Sequence, residues 1–253
     1  MFVKEHFKLS MKSYKFKQKL EEGLIKSRPN RFIMMVKSSN KIIKCHCPAT
    51  GRIGDLVFKD IPCLLSRSNN DKRKTNHTVE AISLDKESKQ NKAWIGINQV
   101  KINKYIEFFL KNNLFPEMIN VPNGVQREKN LGKSRIDFLI DKTYLEIKMP
   151  LIALPVKKEL SYKETTKFNS FDRLIKHFND LSKNLKNKTR AIIALCYMYN
   201  AKPFKAPPTD KGNIKIKKAA EKAIKSGVEQ WQINLKIDKS GVIPISYFKL
   251  KLF

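Results

Sequence analysis

The pattern of apolar and polar positions changes partway along the chain. Residues 31–84 contain short apolar, β-branched runs that are separated by turn residues at 38–40 and 49–51. The runs are RFIMMVK, KIIKCHC, DLVF, PCLLSRS and TVEAISL. Such a series of short strands predicts a small barrel or sandwich, and the OB barrel is a nucleic-acid-binding form of it. The second interpretation is an irregular β unit with no ligand of its own.

Two segments flank these strands. Residues 11–25, MKSYKFKQKLEEGLI, are predicted to form a short helix before the first strand. Residues 85–92, DKESKQNK, are polar and are the best candidate for a linker. We therefore expect a helix plus an OB-like β domain over residues 1–84 and a second domain over residues 85–253.

Helical and strand-like segments alternate beyond the linker. Residues 101–113 have the apolar spacing of an amphipathic helix, with Ile102, Tyr105, Ile106, Phe109 and Leu110 on one face. Three antiparallel strands joined by tight turns are predicted at 124–130, 134–141 and 143–149. The remaining elements are a helix at 169–186, a strand at 190–199, a helix at 213–226 that ends at Gly227, and a strand at 230–237. The predicted fold class is therefore α+β, with an OB-like barrel followed by an α/β domain that has a mixed central sheet.

The charge of the chain points to a polyanionic partner. The 253 residues include 52 Lys and Arg against 23 Asp and Glu, a formal net charge of +29. This excess favours nucleic acid, DNA or RNA, over an anionic membrane surface. An AT-rich genome, which over-supplies Lys, Asn and Ile, accounts for part of it. The sequence leaves the oligomeric state open, a homodimer included.

Membrane insertion and secretion are not indicated. No apolar run approaches the roughly 18–20 residues that span a bilayer, and the first residues lack the apolar segment of a signal peptide. A membrane-binding helix would need bulky apolar anchors, whereas the basic helix at 213–226 has a mostly Ala and Ile face. We expect a cytoplasmic protein with no membrane partner.

Cys45, His46 and Cys47 form a cluster that suggests zinc. In a strand, however, the two cysteines point to one face and the histidine to the other. Structural zinc sites also pair their cysteines at C-x₂₋₄-C spacing, with a second pair elsewhere. We therefore expect small, core-facing cysteines, with a zinc site as the lesser alternative.

A set of residues suited to phosphodiester chemistry lies on two consecutive predicted strands. Pairing of these strands brings Asp137 beside Glu146, and Lys148 shares a face with Glu146. Two carboxylates can hold Mg²⁺ or Mn²⁺, which acidifies a bound water, and the lysine steers that water. The carbonyl oxygen of Ile147 is a further metal ligand candidate. The alternative is a solvated strand pair with an ordinary Glu–Lys contact, worth about 0–1 kcal/mol.

Basic residues with nearby aromatic side chains are the second functional signal. Lysine and arginine neutralise phosphates, and an exposed aromatic ring stacks on a base. The candidates for nucleic-acid binding in the β-rich half are Arg28, Arg31, Arg67, Lys72, Arg73 and Lys74. Phe32 itself is expected to be a core residue, and the alternative for residues 68–76 is an ordinary solvated turn.

Residues 134–139, SRIDFL, followed by 145–148, LEIK, resemble the SRIDF…EVK signature of the sugar fermentation stimulation protein family. Other matches follow in order along about residues 26–181. They are Arg28 with Arg31-Phe32 (RxxRF), Cys45 to Gly51 (HCPNTG), Lys72 to Glu80 (KRK…HTxE), Asn98, Asn103, Glu128, and Arg173 to Leu181 (RGxKHLxEL).

The resemblance implies an OB-like module joined to a PD-(D/E)-x-K nuclease-like domain in a DNA-binding protein. Carried over by position, Asp137 and Glu146 bind the metal and Lys148 assists the water. The accessory candidates are Glu128, Glu107, Glu164, Lys176 and His177, and Arg135 and Arg173 join the nucleic-acid-binding set. For Lys176 and His177 the alternative is a solvated helix face.

The sequence also departs from the family pattern. Ala49 replaces an Asn of HCPNTG, Gln99 replaces a Thr, and residues 149–152 differ from the stretch that follows EVK. The FPDA element before the late helix is absent, and Glu164 is the residue that would substitute for its acid. A non-catalytic DNA-binding regulator with a degenerate nuclease site is therefore the alternative to a Mg²⁺- or Mn²⁺-dependent nuclease.

Overall fold

The computed structural model describes residues 12–70, 72–121, 123–151, 154, 172–183, 185, 189–205 and 213–251. The first seven strands are β1 Tyr14–Lys15, β2 Glu21–Asn30, β3 Ile33–Ser38, β4 Lys41–His46, β5 Ile61–Arg67, β6 His77–Ser83 and β7 Trp94–Gly96. The other elements are α1 Ile102–Lys111, β8 Gln126–Leu131, β9 Ser134–Ile140, β10 Thr143–Lys148, α2 Asp172–Lys183, β11 Arg190–Tyr197, α3 Ile214–Lys225, β12 Glu229–Ile237 and β13 Gly241–Lys249.

The smaller sheet is a barrel. Its strand order is β4-β3-β2-β5-β6-β7, and β4 also pairs with β6, which closes β2 to β6 into five strands. Cys45 and Cys47 of β4 and the following loop are fully buried in its core, as strand alternation predicts. This arrangement confirms the predicted OB barrel.

The larger sheet has the order β1-β13-β12-β11-β10-β9-β8. It is mixed, because β10, β11 and β12 run parallel while the other pairs are antiparallel. On one face, α1 packs through the five apolar residues that its spacing predicts: Ile102, Tyr105, Ile106, Phe109 and Leu110. A separate apolar cluster joins α2 and α3 to β11. The predicted mixed α/β domain is therefore confirmed.

The hairpin of β9 and β10 also has the predicted form. Asp141 and Lys142 are its two-residue connection, and Asp141 adopts a positive φ of 49°. Since Asp and Asn tolerate this conformation better than most residues, the turn fixes the register of the two strands. At the end of α3, Gly227 has a φ of 92°, as expected for a glycine that follows a helix.

The prediction of a helix at 11–25 is wrong. Within the described part of this segment, β1 pairs with β13, and β2 pairs with both β3 and β5. Leu24 and Ile25 are buried in the barrel. Pairing on two sides satisfies the backbone of β2 and outweighs the helical preference of its charged residues.

Two further expectations differ from the structure. Residues 55–58, DLVF, form a turn and an isolated bridge in the connection from β4 to β5, not a strand. Residues 85–92 are a loop between β6 and β7, which pair in the same sheet, and not a linker between folded units. The division at residues 84 and 85 stays a prediction, but β7 lies beyond it. The strand β13 was not predicted.

The barrel and the larger sheet share one continuous apolar core. Gly96 of β7 donates its N–H to the carbonyl of Met198 at 3.1 Å. A Cβ at position 96 would lie 2.6 Å from the Cβ of Met198, so the close approach requires glycine. Within the described residues, no helix is both long and apolar enough to span a bilayer.

Candidate active site

The register of β9 and β10 brings Asp137 beside Glu146. Phe138 pairs with Leu145, so the next positions along the hairpin are the two acids. The N–H of Asp137 donates to Oε2 of Glu146 at 3.3 Å, and the N–H of Ile147 donates to Oδ2 of Asp137 at 2.8 Å. The carboxylates are thus held next to each other by the backbone of the opposite strand.

Glu146 is only 2% exposed and has two basic partners on one oxygen. Nζ of Lys148 and Nδ1 of His177 each lie 2.5 Å from its Oε1. Burial alone would raise the pKa of Glu146, but the hydrogen bond with His177 and the charge of Lys148 outweigh burial and hold the pKa below its ordinary value. Glu146 is therefore an ionised carboxylate whose Oε2 is its less engaged oxygen.

Asp137 has the opposite electrostatic balance. Burial and the neighbouring charge of Glu146 raise its pKa, and the bonds from Ile147 and Asn103 offset part of this effect. A cation beside the two carboxylates would relieve this repulsion. Lys148 contributes one such charge at the edge of the pair.

Asn103 is a site residue to which the sequence analysis gave no role. Its Nδ2 donates to Oδ1 of Asp137 at 2.7 Å. Its Oδ1 is buried and has no hydrogen-bond partner among the described residues. An unpaired buried acceptor next to two carboxylates is suited to a metal ion or to a water that a metal holds. Its position in the first turn of α1 and its match to a family asparagine were the available signals.

The structure separates the two neighbouring candidates on α2. His177 is buried against Glu146, so the alternative that it lies on a solvated helix face is wrong. Lys176 is exposed, and its ammonium binds the carbonyl oxygen of Lys133 in the β8–β9 turn. Of this pair, only His177 belongs to the carboxylate site.

The other acidic candidates bind basic side chains outside the carboxylate pair. Glu107 pairs with Lys111 at 2.7 Å and with Arg127 at 3.6 Å. Glu128, on the edge strand β8, lies 3.4 Å from the exposed Arg135. Glu164 lies outside the described residues.

Metal binding can be tested against the donor atoms present. Among the described residues, no group of three or more His, Cys, Asp or Glu side chains is placed to hold a metal ion. The oxygens of Asp137, Glu146 and Asn103 are nevertheless the hard donors that Mg²⁺, Mn²⁺ and Ca²⁺ prefer. Each carboxylate oxygen can accept more than one bond, so these residues fit a divalent cation that completes its shell with water.

The basic candidates on the barrel differ in how they are held. Arg28 donates to the carbonyls of Arg31, Ala49 and Gly51 at 3.3, 2.7 and 3.1 Å, so it serves to brace the surrounding loops. Arg31 stacks over the ring of Phe32 at 4.7 Å. Phe32 is 44% exposed, so the expectation that it is a core residue is wrong.

The remaining basic residues lie at the end of β5 and in the loop that follows it. Arg67, Lys72, Arg73 and Lys74 are all exposed, and Arg73 also donates to Oγ1 of Thr78 at 3.2 Å. They are accessible to a large polyanion. The side chain of Arg173 lies outside the described part of the structure.

Comparisons with known proteins agree with this architecture. Residues 27–97 match a family profile described as "SfsA N-terminal OB domain", and residues 101–241 match one described as "Sugar fermentation stimulation protein RE domain". A sugar fermentation stimulation protein homolog of Synechococcus sp. is 28% identical over 242 residues, which cover 94% of this chain and 95% of the homolog. A homolog of Trichodesmium erythraeum is 38% identical over 144 residues, which cover 54% of this chain and 56% of the homolog.

A similar solved structure is that of Pyrococcus furiosus SfsA in complex with Ca²⁺. It has a TM-score of 0.72 and 21% sequence identity, and the match covers 96% of this chain and 100% of that one. At this identity the likeness establishes the shared fold. The profile matches extend over more than half of the sequence, and the chain therefore belongs to the sugar fermentation stimulation protein family.

Proposed function

We propose that this protein is a divalent-metal-dependent nuclease that hydrolyses phosphodiester bonds in DNA or RNA. The observation that carries the proposal is the convergence of Asp137, Glu146 and Lys148 on one face of the β9–β10 hairpin, with the unpaired Oδ1 of Asn103 beside them. Phosphodiester cleavage requires negative ligands for a cation and a positive group for the phosphate, and both are present here.

Asp137, Oε2 of Glu146, the carbonyl oxygen of Ile147 and Oδ1 of Asn103 would hold the metal. When bound, Mg²⁺ or Mn²⁺ polarises the phosphate and lowers the pKa of a coordinated water. The similar Pyrococcus furiosus protein was solved in complex with Ca²⁺, which supports binding of a divalent cation by a protein of this fold. The bond from the Ile147 N–H to Asp137 holds that carboxylate in place for the ion.

Lys148 is suited to contact the reacting phosphate. Its ammonium is anchored 2.5 Å from Glu146 and is one-quarter exposed, so it can donate outward while it stays oriented. His177 lies 3.3 Å from Lys148 and binds the same carboxylate oxygen. We assign His177 the role of positioning Glu146 and Lys148, since its buried ring faces the carboxylate.

Binding of the polyanion is assigned to the basic surface of the barrel. Arg31, Arg67, Lys72, Arg73 and Lys74 are exposed and would contact backbone phosphates, largely without regard to sequence. Arg135 and Arg173 would extend this contact toward the hairpin. Nucleic acid is therefore the proposed partner.

One observation favours a second candidate, a DNA-binding regulator with a degenerate site. The described residues lack a cluster of three acidic, histidine or cysteine ligands. In this candidate, Lys148 occupies the place of the cation and the acidic pair has no catalytic role. The two candidates differ only in whether the site binds a metal ion and cleaves nucleic acid.

The test compares cleavage by the wild type with that by Asp137→Asn. Labelled single- and double-stranded DNA and RNA are incubated with Mg²⁺, Mn²⁺ or EDTA, and products are resolved on a denaturing gel. Asp141→Asn is the matched control, because it removes a carboxylate from the turn of the same hairpin. We expect cleavage that EDTA and Asp137→Asn abolish and Asp141→Asn preserves. Binding without cleavage under every metal would contradict the nuclease and favour the regulator.

A further inference from the structure

A cleft of about 740 Å³ opens on the barrel between the β2–β3 turn and the connection from β4 to β5. This volume lies within the roughly 300–1,000 Å³ range of small-ligand sites. The residues that matter for its chemistry are Arg28, Arg31, Arg52, Leu56, Val57 and Phe58. No function was predicted from the sequence for the last four.

One wall of the cleft is apolar and firmly supported. Leu56 is buried at 1% exposure, and Phe58 packs against the barrel core. Val57 is 42% exposed, which leaves an aliphatic surface in contact with water at the cleft. The guanidinium of Arg28 lies 5.5 Å from the centre of the Phe58 ring and binds the carbonyls of the neighbouring loop, so the wall is preformed.

The lining of the cleft also includes three arginines. Arg52 is neutralised by Asp55, but Arg28 and Arg31 have no carboxylate partner among the described residues. Arg31 stacks only on the exposed ring of Phe32, so its guanidinium can turn toward a phosphate. An apolar wall close to guanidinium groups is suited to a ligand in which a flat ring is attached to a phosphate. The ring would pack on the wall and the phosphate would bind a guanidinium.

We propose that this cleft binds an unpaired nucleotide of a single strand, with the base against Val57 and Phe58 and the backbone phosphate at Arg31. The inference rests on the proposed binding of nucleic acid and specifies its form. A duplex keeps its bases stacked inside and offers only phosphates, whereas a single strand offers a base face as well. Covering Val57 with a base removes apolar surface from water, which a duplex backbone does not do.

The experiment measures fluorescence anisotropy of a labelled oligo-dT and of a duplex of equal length, with the full chain in EDTA. We expect the single strand to bind about tenfold more tightly than the duplex. Val57→Asp, which places a negative charge on the apolar wall, should weaken oligo-dT binding about tenfold or more and duplex binding about twofold. Ile42→Asp is the matched control, since Ile42 is a 53% exposed apolar residue on β4 of the same barrel and does not line the cleft. It should change neither affinity by more than about twofold.

A second variant keeps the test valid if Val57→Asp fails to fold. Arg31→Ala removes an exposed side chain. It should reduce the slope of log K against log salt for oligo-dT binding by about one, because one phosphate contact is lost. A single strand that carries the fluorescent base 2-aminopurine reports on the surroundings of that base. Its fluorescence should change when the strand binds the wild type or Ile42→Asp, and should not change with Val57→Asp.

Equal affinity for both strand forms, or oligo-dT binding that tolerates Val57→Asp and Arg31→Ala, would overturn the inference. A protein that binds no nucleic acid would overturn it together with the proposed partner. Val57-dependent binding of oligo-dT in EDTA, together with no cleavage when Mg²⁺ or Mn²⁺ is added, would support the inference and contradict only the nuclease.

Discussion

At the scale of single residues, the site is defined by two carboxylates in different electrostatic states. Glu146 keeps its charge because His177 and Lys148 outweigh its burial, while burial and Glu146 both favour the protonated form of Asp137. Neighbouring acids with pKa values pushed apart are typical of functional sites, and such sites are held at a cost in stability. This pattern leads to two predictions.

The first concerns pH. The folded pKa of Asp137 is raised above its ordinary value of 3.8, so the folded state binds more protons than the unfolded state within that interval. The contribution of Asp137 to stability is therefore present at low pH and lost as the pH rises through the folded pKa. The side chain at position 137 cannot ionise in Asp137→Asn. The free energy of unfolding of this variant, measured by urea titration and compared with that of the wild type, should therefore increase between about pH 3.5 and about pH 7. A difference that stays constant or falls would contradict the raised pKa.

The second concerns His177. His177→Ala leaves the buried Oε1 of Glu146 without one of its two donors, which should destabilise the fold by about 1–3 kcal/mol. Lys176→Ala, at the exposed neighbouring position, should change stability by less than about 0.5 kcal/mol. Urea unfolding of both variants checks this. Similar small losses for both would show that the histidine does not support the carboxylate.

At the scale of elements, local sequence patterns predicted single helices and hairpins between neighbouring strands. The five apolar positions of α1 and the β9–β10 hairpin followed from spacing and turn chemistry, and the hairpin alone placed Asp137 beside Glu146. Partners distant in sequence were not predictable in this way. The contact of Asn103 with Asp137, and the burial of His177 on Glu146, depend on how α1 and α2 pack on the sheet.

The failed element predictions have the same cause. β2 has charged residues that favour a helix, yet it lies between β3 and β5, and only the closed barrel reveals this. β1 consists of two residues whose pairing partner, β13, is at the other end of the chain. Long-range pairing thus overrode local preference in both segments.

Gly96 offers a test at the level of element packing. Gly96→Ala would place a Cβ 2.6 Å from the Cβ of Met198. Since the backbone fixes the position of a Cβ, rotation of the Met198 side chain cannot relieve this clash. We expect a loss of about 1–3 kcal/mol in the free energy of unfolding. Gly51→Ala is the control, because a Cβ there would meet nothing within 4 Å. Equal stability of the two variants would show that β7 and the end of β11 can separate without cost.

At the scale of the whole molecule, the barrel and the larger sheet share a core, so the basic loops and the carboxylate site belong to one body. Asn98 links the two parts. Its Nδ2 donates to the buried Glu80 of β6 at 2.8 Å, and its Oδ1 accepts the N–H of Lys101 at the start of α1. Gln99 donates to the carbonyl of Met149, directly after β10. These bonds fix the orientation of the barrel relative to the end of β10, where Glu146 and Lys148 lie.

The net charge of +29 is spread over the chain, so its contribution to binding must be separated from that of particular residues. Replacing Arg73 and Lys74 with alanine should weaken nucleic-acid binding and reduce the slope of log K against log salt by about two, because each phosphate contact releases about one counterion. Lys215 and Lys218, exposed on α3, are the matched pair that removes the same charge elsewhere. If only the loop pair changes the slope, the barrel surface contacts the phosphates. If both pairs change it equally, the charge attracts nucleic acid without a defined contact surface, and the assignment of the loop is wrong.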